Sequence, residues 1–535
     1  MATVTASFAI EAVDAVKVEI EATTIGGPPM VSIIGLGDKA VLEAADRLEG
    51  CLIYSGFEMP REKVIINLAP GDLKKRGAHY DLGMAIALLT QSGQIQPVDL
   101  PQYVFIGELS LNGTVRPSNG VLSMVTAARE CGFKRVLVPL ANVSEAEIIE
   151  GIRVIGIKTL REAVEIVSGK EPGENKPATK KPVQPAPQYA LDFEDVIGQR
   201  DAVLAAMYAA AGGHNILLMG EPGCGKSMIA KRIPGILPEM SDQESMETTR
   251  IHSIAGTFSG GEELMRIRPL RAPHHNVSMN ALIGGGTDAL PGEITLAHNG
   301  VLFLDEFAEF SKRTLDALRQ PMEDKQVTIA RVNRTNRYPA NFMLVAAMNP
   351  CPCGYSGTPQ CTCSPADIYK YRKRISGPIL DRIEIRKHMR AVDILHAGGS
   401  TTGIAGTIDS GSSAKGAKSA GVGASIASVS EESVLSSRKL RQLVTKAREI
   451  QKERYREIPN VYCNAQMTEG MLRKFCVLSD DGHAFLEQAA GRYGLSARAV
   501  NRVLRLSRTV ADVWAHDVID ASDIRTALSL RDADL

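Results

Sequence analysis

An α/β fold built on a parallel sheet is predicted by three features of this 535-residue chain. Residues 220–227 read Gly-Glu-Pro-Gly-Cys-Gly-Lys-Ser, between an apolar run, Ile216–Met219, and a helix-compatible stretch, Met228–Ile233. Two further apolar runs, Val301–Leu304 and Phe342–Met348, end in polar residues, as buried parallel strands do where they meet a ligand crevice. Ahead of them, β-prone runs (Val16–Ile20, Val31–Ile34, Val64–Ile66) alternate with helix-like stretches (Ala40–Leu48, Leu82–Leu89), which predicts a separate α/β or α+β domain over 1–168.

The glycine-rich run matches G-x-x-x-x-G-K-[ST], a phosphate-binding loop, in the strand–turn–helix context that the motif requires. Gly220, Glu221, Pro222, Gly223, Cys224 and Gly225 supply the backbone that curls round phosphates at a helix N-terminus. Lys226 can reach the outer phosphates, and the Ser227 hydroxyl can ligate Mg²⁺. ATP with Mg²⁺ is the expected ligand.

Asp305 and Glu306 follow Val301–Leu304 directly. An acidic pair after a strand is commonly a solvated strand end. Beside the loop, Asp305 reads as part of the Mg²⁺ shell and Glu306 as the group that activates the attacking water. Asn349 ends the third run and can orient the same water, although Asn349-Pro350 is also a turn signal. Arg382 and Arg498 each stand near an element boundary. Guanidinium groups stabilise charge on a transferring phosphoryl, but most arginines are surface ion-pair members.

Together these segments resemble the AAA+ ATPases, and within them the magnesium-chelatase-like group of ComM/YifB type. The resemblance is carried by Arg268-Pro-Leu-Arg-Ala-Pro-His-His275, Gly284-Gly-Gly286, Pro291–Glu306 and Asn349-Pro-Cys-Pro-Cys-Gly354. It implies a P-loop AAA+ core with helices flanking its parallel sheet, an N-terminal Lon-protease-like domain and a C-terminal all-helical lid. It also implies that Asn349 is the sensor-1 residue, Arg382 an arginine finger acting on a neighbouring subunit and Arg498 the sensor-2 arginine. The Lon-like Ser–Lys pair is not expected: Gly77-Ala-His-Tyr-Asp-Leu-Gly83 holds no serine, and Leu122 stands where the lysine belongs. A triad-type mechanism needs both nucleophile and base, so residues 1–168 read as a scaffold. Ser110, Ser118 and Ser123 read as ordinary polar residues.

Composition divides the rest of the chain. Residues 169–188 carry five prolines and several lysines, a linker signature. The ATPase core is expected over 189–394. Residues 395–430 collapse to Gly, Ser, Ala and Thr, too little apolar surface to offset the entropy of ordering. The lid, 431–535, opens with Leu440, Leu443, Val444, Ala447 and Ile450 at helical spacing, and a second helical stretch spans 497–514.

Cys351-Pro-Cys353 and Cys361-Thr-Cys363 can close a tetrahedral thiolate cage suited to a structural Zn²⁺, the alternative being free thiols. His274 and His275 lack a second ligand cluster and are not expected to join a site. Arg331, Arg334 and Arg337 alternate with β-prone residues and read as a basic hairpin, either a wet ribbon or a track for a phosphate backbone. By the resemblance this hairpin faces the channel of a homo-hexamer.

Net charge is zero, so nucleic acid would have to be held by a local patch. No apolar stretch approaches the roughly 20 residues that span a bilayer, and the N-terminus lacks a basic lead. With nine cysteines, an odd count, the chain is expected in a reducing cytoplasm, without membrane partners. The leading function is an ATP-driven motor on single-stranded or branched DNA, a branch-migration helicase in homologous recombination and natural transformation as the resemblance implies. The alternative is a protein-remodelling or metal-chelatase-type motor acting on a protein partner.

Overall fold

The computed structural model describes residues 2–171, 191–258, 264–286, 290–331, 334–391, 435–459 and 461–531. The expected Pro/Lys-rich linker, apart from its first three residues, and the expected insert at 395–430 lie outside the described residues.

The N-terminal region is built on a seven-stranded mixed sheet. Its order is Met30–Ile34, Lys63–Ala69, Asp14–Ile25, Thr3–Glu11, Tyr103–Phe105, Arg135–Pro139, Arg153–Ile157. Thr3–Glu11 and Asp14–Ile25 form a hairpin, and Asp14–Ile25 pairs antiparallel with Lys63–Ala69; the other neighbours are parallel. Successive strand residues point to opposite faces. Accordingly Phe8, Val104, Val136 and Val138 enter one core with the helix Val121–Glu130, while Ala9, Phe105 and Leu137 enter another with Asp81–Gln91. Asp81, in the segment 77–83 that holds no serine, is buried in a bidentate pair with Arg47 (2.8 and 3.0 Å), and Leu122 is buried in the core.

The second sheet has five parallel strands in the order Leu270–Arg271, Val301–Leu304, Met343–Met348, Ile216–Gly220, Ile385–Met389. Both of its faces are covered, which is why its strands read as unbroken apolar runs. Ile216, Leu218, Phe303 and Val345 pack toward the helix Arg200–Gly212 and the C-terminal helices. Leu217, Leu302, Leu304 and Leu344 pack on Phe307, Phe310 and Leu315 on the opposite face. Each buried aliphatic or aromatic side chain contributes about 1.5–3 kcal/mol.

Beyond residue 434 the described chain is helical: Ser437–Arg454, Glu469–Phe475, Asp480–Tyr493, Ala497–Val513 and Ala521–Ser529. Leu440, Val444 and Ala447 seat the first of these on Arg200–Gly212. Polar pins add direction: Gln451 Nε2 donates to Ala211 O (3.1 Å), and Arg448 donates to Ala210 O. The chain is thus an α/β protein with a mixed N-terminal sheet, a separate parallel sheet and a helical C-terminal region. One helix differs from expectation. The segment after the glycine loop is helical only over Lys226–Ala230 and turns 3₁₀ at Ile233–Ile236. Pro234 has no N–H to donate and disfavours α-geometry in the residue before it.

Two imidazoles are packed against these cores, His214 fully buried and His79 half-buried. His79 Nε2 lies 2.8 Å from Phe8 O, and burial pushes its pKa down to about 4. His214 bonds Thr509 Oγ1 (2.8 Å) across to the C-terminal helices, and burial, with Arg448 and Arg505 nearby, pushes it down to about 3. Both stay neutral in the fold, whereas their unfolded counterparts take a proton below about pH 6.5. The unfolded chain then binds more protons, so stability is full above 6.5 and falls as pH drops toward 4. The thermal midpoint should decline steadily over that window, with a shallower decline in His79→Gln. A flat profile would contradict buried neutral imidazoles.

Candidate functional site

The loop 220–225 leaves the carboxyl end of a central strand, where parallel sheets open their crevice. Gly223 (φ +79°) and Gly225 (φ +93°) take left-handed conformations that side chains resist, and Gly225 caps the short helix that begins at Lys226. Lys226 is largely buried. Its Nζ donates to Gly220 O and Glu221 O (both 2.8 Å) and to Asn349 Oδ1 (3.2 Å). Ser227 Oγ donates to Asp305 Oδ2 (2.7 Å). A lysine, a hydroxyl, a carboxylate and an amide from three adjacent strands therefore converge on one loop.

Glu306 is held in an unusual state. Its backbone is left-handed (φ +51°), its N–H donates to Asp305 Oδ1 (2.9 Å), and its carboxylate lies 2.8 Å from His275 Nδ1. His275 is itself fixed between His274 (ring centroids 4.1 Å apart) and the edge of Phe310. Sequence reading weighed these histidines only as metal ligands, and among the described residues they join no cluster of converging ligand atoms. The signal was present: they end the basic, proline-rich segment 268–275, in which Leu270–Arg271 forms the strand beside Val301–Leu304.

The four cysteines do converge. Cys351, Cys353, Cys361 and Cys363 offer sulfur atoms all within 4.8 Å of one another. Sγ–Sγ distances are 3.3 Å (351–353), 3.9 Å (351–361) and 3.7 Å (353–361). A tetrahedral cage with metal–sulfur bonds of about 2.3 Å has edges of about 3.8 Å. Backbone N–H groups of Tyr355 and Thr362 aimed at Cys353 pull its thiol down, whereas burial and the neighbouring sulfurs push Cys361 and Cys363 up. A thiolate donor set of this size fits Zn²⁺.

Other expected site residues stand apart from the loop. Arg382 pairs with Glu323 and donates to Pro378 O, and it makes no polar contact with the loop among the described residues. Arg498, in the first turn of Ala497–Val513, is exposed. Arg502, one turn further on and not singled out from sequence, donates to Asp381 Oδ1 (2.9 Å) and Asp381 O, directly before Arg382. The basic segment is an antiparallel ribbon, Gln326–Arg331 with Arg334–Pro339, anchored by buried Val327 and Tyr338. Its register opposes Arg331 to Arg334 at the turn end and Arg337 to Thr328. Arg337 is exposed; the side chains of Arg331 and Arg334 lie outside the described residues.

Comparison with known proteins matches this architecture along the chain. Residues 192–396 match the family "Magnesium chelatase, subunit ChlI", residues 18–142 "Subunit ChlI of Mg-chelatase" and residues 434–531 "Magnesium chelatase, subunit ChlI C-terminal". Competence protein ComM of Haemophilus influenzae is 38% identical over 522 residues, covering 97% of this chain and 95% of that protein. The chain belongs to the ComM/YifB-type magnesium-chelatase-like AAA+ family. YifB of Escherichia coli is likewise 38% identical, over 98% of this chain and 95% of its own. Lon protease 2 of Bacillus subtilis is similar at 33% over 109 residues, 20% of this chain. In this AAA+ member the loop is tied to neighbouring strands by Lys226, through Asn349, and by Ser227, through Asp305. No described helix is long and apolar enough to cross a membrane.

Proposed function

We propose that this chain is a Mg²⁺-dependent ATPase that assembles as a homo-hexameric ring and drives branch migration of single-stranded or branched DNA in recombination. The observation that carries the ATPase reading is the convergence of Lys226, Ser227, Asp305 and Asn349 on the loop 220–225. Lys226 Nζ, satisfied by two loop carbonyls and Asn349, would exchange those partners for outer phosphate oxygens. Ser227 and Asp305 would hold Mg²⁺, which supplies charge neutralisation on the phosphates. Glu306, released from His275, would orient the attacking water, and Asn349 would fix its position. Arg382 does not reach its own loop, which supports a role as a finger on the neighbouring subunit. Arg498, exposed on the C-terminal helices, would close over the phosphates as sensor 2.

The functional division follows: 1–168 a non-proteolytic Lon-like scaffold, 189–394 the engine and 431–535 the lid, working in the cytoplasm. The DNA arm rests on the likeness to competence protein ComM and on the ribbon bearing Arg331, Arg334 and Arg337, suited to sequence-independent backbone contact. The matches to a magnesium chelatase subunit favour one second reading, a chelatase-type motor on a protein partner. The cysteines 351, 353, 361 and 363 would hold one structural Zn²⁺.

Lys226→Ala should abolish nucleotide binding or turnover. Arg382→Ala should spare binding yet lower turnover on the order of 10³-fold, as loss of an arginine finger does; undiminished turnover would remove it from the site. Steady-state ATPase assays with and without single-stranded or branched DNA, paired with strand displacement, test the substrate. Stimulation that weakens with salt is expected, more weakly in Arg337→Glu. No binding and no stimulation at low salt would turn the assignment to a protein partner.

A further inference from the structure

The cysteine loop touches the phosphate loop directly. Cys351 is fully buried, two residues beyond Asn349, whose Oδ1 accepts from Lys226. Gly354, at φ +89°, lies so close to the Pro222 ring that a Cβ there would stand 2.7 Å from its Cγ and Cδ. Residues 350–363 contain neither helix nor strand, and their own backbone bonds are isolated turns such as Gly354 N to Cys351 O (3.0 Å). Nothing in that backbone fixes the distance between its ends. The four sulfurs, all within 4.8 Å of one another, would do so on closing round a metal.

We propose that Zn²⁺ on Cys351, Cys353, Cys361 and Cys363 braces the phosphate loop through the Gly354–Pro222 contact and through Asn349, so that metal occupancy sets nucleotide affinity. The inference rests on the zinc assignment above and extends it from local stability to ligand binding. With the metal in place, Pro222 is backed by a rigid knuckle and Asn349 is kept beside the phosphate site that Lys226 serves. Without it, loop 350–363 relaxes and both contacts loosen.

The test uses the full chain purified under reducing conditions, with metal measured by mass spectrometry and affinity by a fluorescent ATP analogue. Wild type should carry about one zinc per chain, as a four-thiolate site requires. The double variant Cys361→Ser, Cys363→Ser should carry none and bind nucleotide about tenfold more weakly, a penalty in keeping with small misplacements of positioning groups. Gly354→Val, which keeps all four thiols, should retain zinc and still lose affinity. Wild type free of zinc would overturn the metal assignment. A zinc-free double variant, or a zinc-loaded Gly354→Val, with wild-type affinity would overturn the brace and leave the assignment standing.

Discussion

The amine of Lys226 ties the ends of two adjacent parallel strands together. It bonds the carbonyls that finish Ile216–Gly220 and the side chain that follows Met343–Met348. A buried ammonium costs stability unless its protons are satisfied, and here they are met by groups that must themselves be placed to within a few tenths of an ångström. The register of the sheet does that placing. Met219 stands beside Met348, and Leu304 beside Ala346, so the glycine loop, the acidic pair and Asn349 leave the sheet at one edge. Apolar packing on both faces fixes the strands, and the strands fix the polar groups.

The N-terminal region is held to this engine by more than covalent linkage. Helix Asp242–Ile254 presents Arg250 to Val13 O and Asp14, and Ser253 to the buried carboxylate of Glu145. Gly120, at φ +75°, donates its N–H to Ser253 O (3.1 Å), and a side chain there would collide with Ile10 and Ile254. A charged pair, a buried hydroxyl and a glycine contact together specify one docking geometry between the N-terminal region and the AAA+ core.

What could be read from sequence followed the range of the interactions. Val301–Leu304 and Phe342–Met348 were legible because burial on both faces leaves a continuous apolar run, whereas the two-residue strand Leu270–Arg271 carries no such pattern. The loop 220–227 announced itself through glycines whose positive φ the structure requires. The pairing of His275 with Glu306 was not legible, because the two are brought together only by the pairing of Leu270–Arg271 with Val301–Leu304. The cysteine spacing was legible as a cage, but its contact with Pro222 depends on a backbone conformation at Gly354 that no spacing predicts. Arg382 and Arg498 drew their finger and sensor roles from resemblance, and among the described residues neither makes a polar contact with the loop.

Arg502 gives the helical region a grip on the residue immediately ahead of Arg382. A helix that grasps Asp381 by both side chain and carbonyl cannot tilt without carrying that short stretch along. In the proposed assembly, rocking of one protomer's lid as its nucleotide changes would swing the guanidinium offered to the next protomer. Timing between successive sites would then be mechanical, passed hand to hand by a single lever, with no need for a signal to cross the interior of either core.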